Sequence, residues 1–157
     1  MKSLAILCSL IVTLTACQSG GGGSDVSWEP GHGKISMEVI PNPIVARAVR
    51  GNVYDFPVEI VVRENGGHAV NVTGVSLTVL GPVGLVFHRE SWDAEKIRAL
   101  GYSTTVAANG ELRYRFVPRQ EVPDERLFGG VVAELRVEAI DAAAKVTSAT
   151  TSVTVSR

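Results

Sequence analysis

The sequence predicts an all-β fold, an antiparallel sandwich of seven or eight strands with one short helical crossover near residues 92–100. Three observations predict it. Apolar and polar residues alternate with a period of two in one segment after another. Turn residues interrupt those segments at the short intervals of a sandwich. One stretch alone, residues 91–101, carries helix signals instead.

Ile35, Met37 and Val39 alternate with Ser36 and Glu38, and Pro41-Asn42-Pro43 then ends that strand or makes it switch sheets. Phe56, Val58, Ile60 and Val62 alternate with Pro57, Glu59 and Arg63. Pro57 has no N–H to donate, so this strand begins near it or lies at an edge. Asn65-Gly66-Gly67 is a turn. Val75, Leu77 and Val79 alternate with Ser76 and Thr78 until Gly81-Pro82, and residues 85–87 form another short strand. In residues 91–101, Ser91 is the expected N-cap, acids fill the first turn and Gly101 closes the helix. Trp92, Ile97 and Leu100 are its expected buried face. Residues 104–107 lead into Asn109-Gly110, the dipeptide of tight hairpins. Leu112, Tyr114 and Phe116 then alternate with Arg113 and Arg115, and residues 118–130 read as a polar connection. Val131, Ala133, Leu135, Val137 and Ala139 alternate with Glu134, Arg136 and Glu138. Residues 141–145 turn, and residues 146–155 close the fold as a Thr/Ser/Val strand.

The chain has 157 residues, with 15 Lys+Arg against 16 Asp+Glu. Without Lys2, which belongs to an export segment, the balance is 14 against 16, a formal charge of −2. That balance carries no footprint for nucleic acid. The two cysteines, Cys8 and Cys17, both fall in the first 17 residues. The domain therefore holds no disulfide, zinc-thiolate site or cysteine nucleophile.

Residues 1–16 read as a signal peptide: Lys2 supplies the positive start, and Leu4 through Leu14 an apolar run too short to span a bilayer. Its end, Leu14-Thr15-Ala16-Cys17, resembles the bacterial lipobox. The resemblance implies diacylglycerol on the Cys17 thiol, cleavage between Ala16 and Cys17, and acylation of the new terminus. Two or more acyl chains anchor stably where one does not. Gln18 follows where retention at the inner membrane would favour Asp, so the resemblance implies the outer membrane if the host is Gram-negative. Residues 17–33, with SGGGGS at 19–24, are a flexible tether with a root-mean-square reach of roughly 20–24 Å. Trp28 is expected at the edge of the domain, with the lipid interface as the alternative, and the domain occupies residues 34–157.

The closing stretch LRVEAIDAAAKVTSATTSVTV resembles the last hairpin of bacterial Ig-like and fibronectin type III-like domains. The resemblance covers about 25 residues and implies an Ig-like sandwich. The chain departs from those families in lacking a paired-cysteine bridge and a clear central tryptophan, and no functional residue carries over.

Candidate chemistry is sparse. His32, His68 and His88 have no second ligand at metal spacing and read as loop or surface histidines. Gly31-His32-Gly33-Lys34 lacks the spacing and the following helix of a phosphate loop. Glu90, Asp93 and Glu95 read as acids that complement a helix N-terminus. Arg113, Arg115, Arg119 and Arg126 form a mild basic cluster, expected to pair across strands with acids such as Glu134 and Glu138. The expected function is that of a non-enzymatic, lipid-anchored envelope protein, without metal or cofactor, whose domain binds a protein or glycan or serves as an accessory subunit. The candidate partner-binding residues are Arg119, Glu121, Asp124, Arg126 and Phe128, with residues 88–102 as a second region. The alternative is a carbohydrate-active or other hydrolase with a dispersed site, which needs two carboxylates facing each other roughly 5–10 Å apart.

Overall fold

The computed structural model describes residues 31–157. The expectations for the signal peptide, Ala16, Cys17, Trp28 and the tether up to residue 30 lie outside the described residues. The described chain runs β1 (Ile35–Ile40), β2 (Ile44–Val45), β3 (Arg47–Arg50), β4 (Val53–Asp55), β5 (Val58–Glu64), β6 (Val70–Leu80) and β7 (Val86–Asp93). A helix α1 (Ala94–Ala99) follows, then β8 (Thr105–Val106), β9 (Glu111–Phe116), β10 (Arg119–Glu121), β11 (Val132–Asp141) and β12 (Val146–Ser156).

This is an all-β, Ig-like sandwich. One sheet has the order β1-β5-β9; the other has β2-β12-β11-β6-β7, with β8 beside β6. Pairing is antiparallel except between β12 and β2. Period-two alternation places Val58, Ile60 and Val62 of β5 and Tyr114 of β9 on one inner face. Val75 and Leu77 of β6 with Leu135 and Val137 of β11 line the other, and all join one core. Such interdigitated faces form the roughly 10 Å thick interior of a sandwich.

The proline-rich segment does switch sheets: β1 pairs with β5, whereas β2 pairs with β12 across the sandwich. Pro57 precedes a strand that starts at Val58 and lies in the middle of its sheet.

Four expectations are corrected. First, β7 continues through Asp93, so Ser91 and Trp92 are strand residues. Asp93 is the N-cap, its Oδ1 accepting the Lys96 N–H at 2.8 Å, because an aspartate at this position satisfies an orphan donor. Ile97 is fully buried while Leu100 is exposed. Second, the fold has a core tryptophan: Trp92 of β7 is buried and stacks on Phe116 of β9 at 4.3 Å between centroids. Third, Asn109-Gly110 does not close a hairpin of paired strands. The turn, closed by Gly110 N–H to Ala107 O at 2.8 Å with Asn109 at φ 54°, carries the chain from β8 in one sheet to β9 in the other. Fourth, the expected polar connection at 118–130 contains a strand, β10, which joins β4 and β3 in a third small sheet.

The chain enters at one pole, where Gly33 N–H donates to Asp141 Oδ2 at 3.2 Å beside the β11–β12 turn. We call this the near pole; the far pole holds the starts of β5 and β11 and the ends of β6, β9 and β12. Gly33 passes so close to the core that a Cβ there would overlap Val70 Cγ1 and stand 3.3 Å from Asp141 Cβ. Gly33→Ala is expected to cost about 1–3 kcal/mol, read from the denaturant midpoint at an unchanged slope.

Candidate functional site

An apolar cavity of ≈ 300 Å³ opens at the far pole, between the two sheets. Leu77 and Val79 of β6 and Ala133 of β11 form one wall, and Val58 and Phe56 another. Residues Pro118, Val122, Leu127 and Phe128 roof it. The polar lining residues are His88, Gln120 and Glu121. Packed interiors leave few voids larger than a water molecule, so an opening of this size between two sheets stands out as a place for a ligand.

The third sheet holds the roof in place. Its strand β10 pairs with β4, and Arg119 grips Asp55 through two bonds, Nε to Oδ1 at 2.6 Å and Nη2 to Oδ2 at 2.9 Å. The fully buried Tyr54 ring donates its hydroxyl to Glu125 Oε1 at 2.8 Å, and Arg157 completes the set by pairing with Glu125. The bond to Glu125, together with burial, holds the Tyr54 hydroxyl above its usual range. Phe128 packs edge-on against Tyr54 at 5.2 Å and tilts over Phe56 at 6.3 Å.

Of the five residues expected to bind a partner, Glu121 and Phe128 line the cavity. Arg119 is taken up by Asp55, and Asp124 caps a short 3-10 helix by accepting the Arg126 N–H at 2.9 Å. Arg126 lies exposed on that same turn. The second region contributes His88 to the lining, together with its neighbour Phe87. Sequence reasoning missed most of the walls, which come from strands far apart in the chain. Inward parity along β6 and β11 was the available signal.

The arginines do not form one cluster. Arg113 and Arg115 belong to a chain of ion pairs on the outer face of β1-β5-β9, running Glu38–Arg63–Glu111–Arg113–Glu59–Arg115 at 2.6–2.8 Å. Glu134 and Glu138 lie in the other sheet, and Glu138 pairs with Arg136. Strand order explains this, because β9 neighbours β5 and not β11.

The remaining polar groups read as structural. Glu90 stands 3.6 Å from Lys96 and 3.9 Å from His88, while Glu95 lies in the first turn of α1. His32 is half-buried, its Nδ1 3.5 Å from Asp141 Oδ2, and His68 is exposed. Among the described residues no three His, Cys, Asp or Glu stand together as metal ligands. No helix among them is long and apolar enough to cross a membrane.

Solved structures repeat this architecture. A structural-genomics target designated SoR45 aligns with a TM-score of 0.56 and 12% identity over 78% of this chain and 87% of its own. A putative ApaA protein from Bordetella pertussis aligns with a TM-score of 0.53 and 10% identity over 80% of this chain and 96% of its own. At such identities the likeness concerns the fold alone. No protein-family model matches the chain, and no curated protein matches it.

Proposed function

We propose that the chain is a bacterial envelope lipoprotein, held to a membrane through lipid on Cys17, with a non-catalytic domain that binds an envelope protein or glycan at its far pole. The observation that carries the anchor is Leu14-Thr15-Ala16-Cys17 closing a charged-then-apolar leader just before SGGGGS. The thiol is the nucleophile that takes the lipid. The fold supports the arrangement. A tether joined at the near pole leaves the far-pole loops, residues 118–130 among them, turned away from the attachment. Among the described residues lining the cavity Glu121 is the one carboxylate, whereas a glycoside hydrolase canonically uses a facing pair.

Metabolic labelling with palmitate tests the anchor. The chain is expected to take up label and sediment with membranes, and Cys17→Ser to lose both. Globomycin, which blocks the lipoprotein peptidase, is expected to leave the leader attached. An unlabelled chain, or a Cys17→Ser chain that stays with the membrane, would contradict the proposal.

A further inference from the structure

The geometry points to a further site: the far-pole cavity binds the alkyl chain of a single-tailed amphiphile with a neutral, hydroxyl-bearing head. This goes beyond the partner-binding loops and does not depend on the anchor.

Size comes first. An apolar cavity of about 150 Å³ takes benzene, six carbons, so one of ≈ 300 Å³ matches a chain of about twelve. Polarity is graded along the cavity. Its buried lining residues, such as Ile44, Val58, Leu77, Val131, Ala133 and Val155, are apolar throughout. Its polar ones, His88, Gln120 and Glu121, are all at least partly exposed. A dry interior behind a wet rim fits a molecule with a tail and a head, because the tail buries without leaving a polar group unpaired.

The rim selects the head. Among the described residues no lysine or arginine lines the cavity, and the Glu121 carboxylate at the rim repels a carboxylate or phosphate head. An imidazole, an amide and a carboxylate supply acceptors and donors suited to hydroxyls. Beside the mouth the end of the β6–β7 connection and the start of β7 expose three consecutive apolar residues, Leu85, Val86 and Phe87, and Phe87 also lines the cavity. That exposed run gives a tail a continuous apolar path from a lipid surface to the interior.

The test uses the full chain carrying Cys17→Ser, so no acyl group of its own competes. Monoacylglycerols of eight to sixteen carbons, below their micelle concentrations, are titrated by calorimetry. One-to-one binding is expected, tightening about fourfold per added methylene and levelling off near twelve carbons as the cavity fills. Val79→Phe, which fills the cavity from β6, is expected to weaken twelve-carbon binding at least tenfold while leaving the fold intact. Leu127→Trp in the roof serves the same purpose should Val79→Phe fail to fold. Absence of binding at every length would overturn the site. Affinity that climbs without a ceiling and ignores the filling variant would also overturn it. Either failure leaves the anchor untouched, because position 17 is serine in the test and carries no lipid.

Discussion

Replacing Glu64 by alanine is expected to lower stability by about 3 kcal/mol and the melting temperature by about 10 °C. Glu64 is 2% exposed at the end of β5, yet its carboxylate is fully engaged. Oε1 accepts the N–H groups of Lys34 at 3.0 Å and Gly66 at 2.6 Å; Oε2 accepts those of Gly67 and Asn109, both at 2.9 Å. One side chain thus ties the start of β1, the turn after β5 and the turn before β9 together at the near pole. Removing it leaves four part-buried backbone donors without their acceptor, and that loss is costly. Glu64→Gln is expected to rescue little, since its NH₂ group would face N–H donors.

The same geometry gives a pH dependence. Burial pushes the Glu64 carboxyl up, but the four N–H donors outweigh it and bring its pKa from 4.5 down to about 2. A folded value below the unfolded one means stability that is complete above about pH 5. It is lost as pH falls from there towards 2. The stability gap between the parent and Glu64→Ala is therefore expected to be widest near neutral pH and to close on acidification. Chemical denaturation at a series of pH values measures it; a gap constant from pH 7 to 3 would contradict the clamp.

Trp92→Ala is expected to cost about 3–5 kcal/mol, the largest loss from any core truncation here. The indole joins the two sheets: it stands on β7 and stacks on Phe116 of β9 with 14° between ring planes. Phe116 in turn packs against Tyr114 and Tyr102, so the cavity left by alanine opens inside an aromatic cluster. Tyr114 is fixed there, its hydroxyl donating to Ser103 O at 3.1 Å and its pKa pushed up to about 12 by burial. Trp92→Phe retains the stacking and is expected to cost about 1–2 kcal/mol. Urea midpoints of the two variants check the ranking, and near-UV circular dichroism reports the loss of the stacked pair.

The sandwich was legible in the sequence because a half-buried strand writes its burial into every second residue. That pattern located β1, β5, β9, β11 and β12 and the turn at Asp141. It failed where burial does not alternate. All four residues of β3 are exposed, and β4 is three residues long, so neither carries a period. Trp92 falls in the strand and not the helix because β7 stays paired with β6 as far as Gly74 opposite Asp93, which moves the N-cap from Ser91 to Asp93. Asn109-Gly110 gave the turn correctly but not its partners, since a two-residue signal cannot say which sheet the next strand joins. Glu64 followed the inward parity of Val58, Ile60 and Val62, and a charge at that parity was the one hint of the clamp.

The candidate site was legible at its roof and at His88. Glu121 and Phe128 lie in a loop, where binding residues are expected. The walls are contributed by Leu77, Val79, Ala133 and Val155, which in sequence look like any core residue. Their distinction is that together they line one cavity at the far pole, and that is a property of tertiary packing. Arg119 and Asp124 were attractive as exposed charges, but each holds the roof together instead.

The proposed lipid on Cys17 is a covalent modification and so changes the mass of the chain. The intact mass of the chain recovered from the cell envelope tests it most directly. The expected mass is that of residues 17–157 plus a diacylglyceryl group, with or without a further acyl chain. A mass equal to the unmodified polypeptide, with or without residues 1–16, would contradict it.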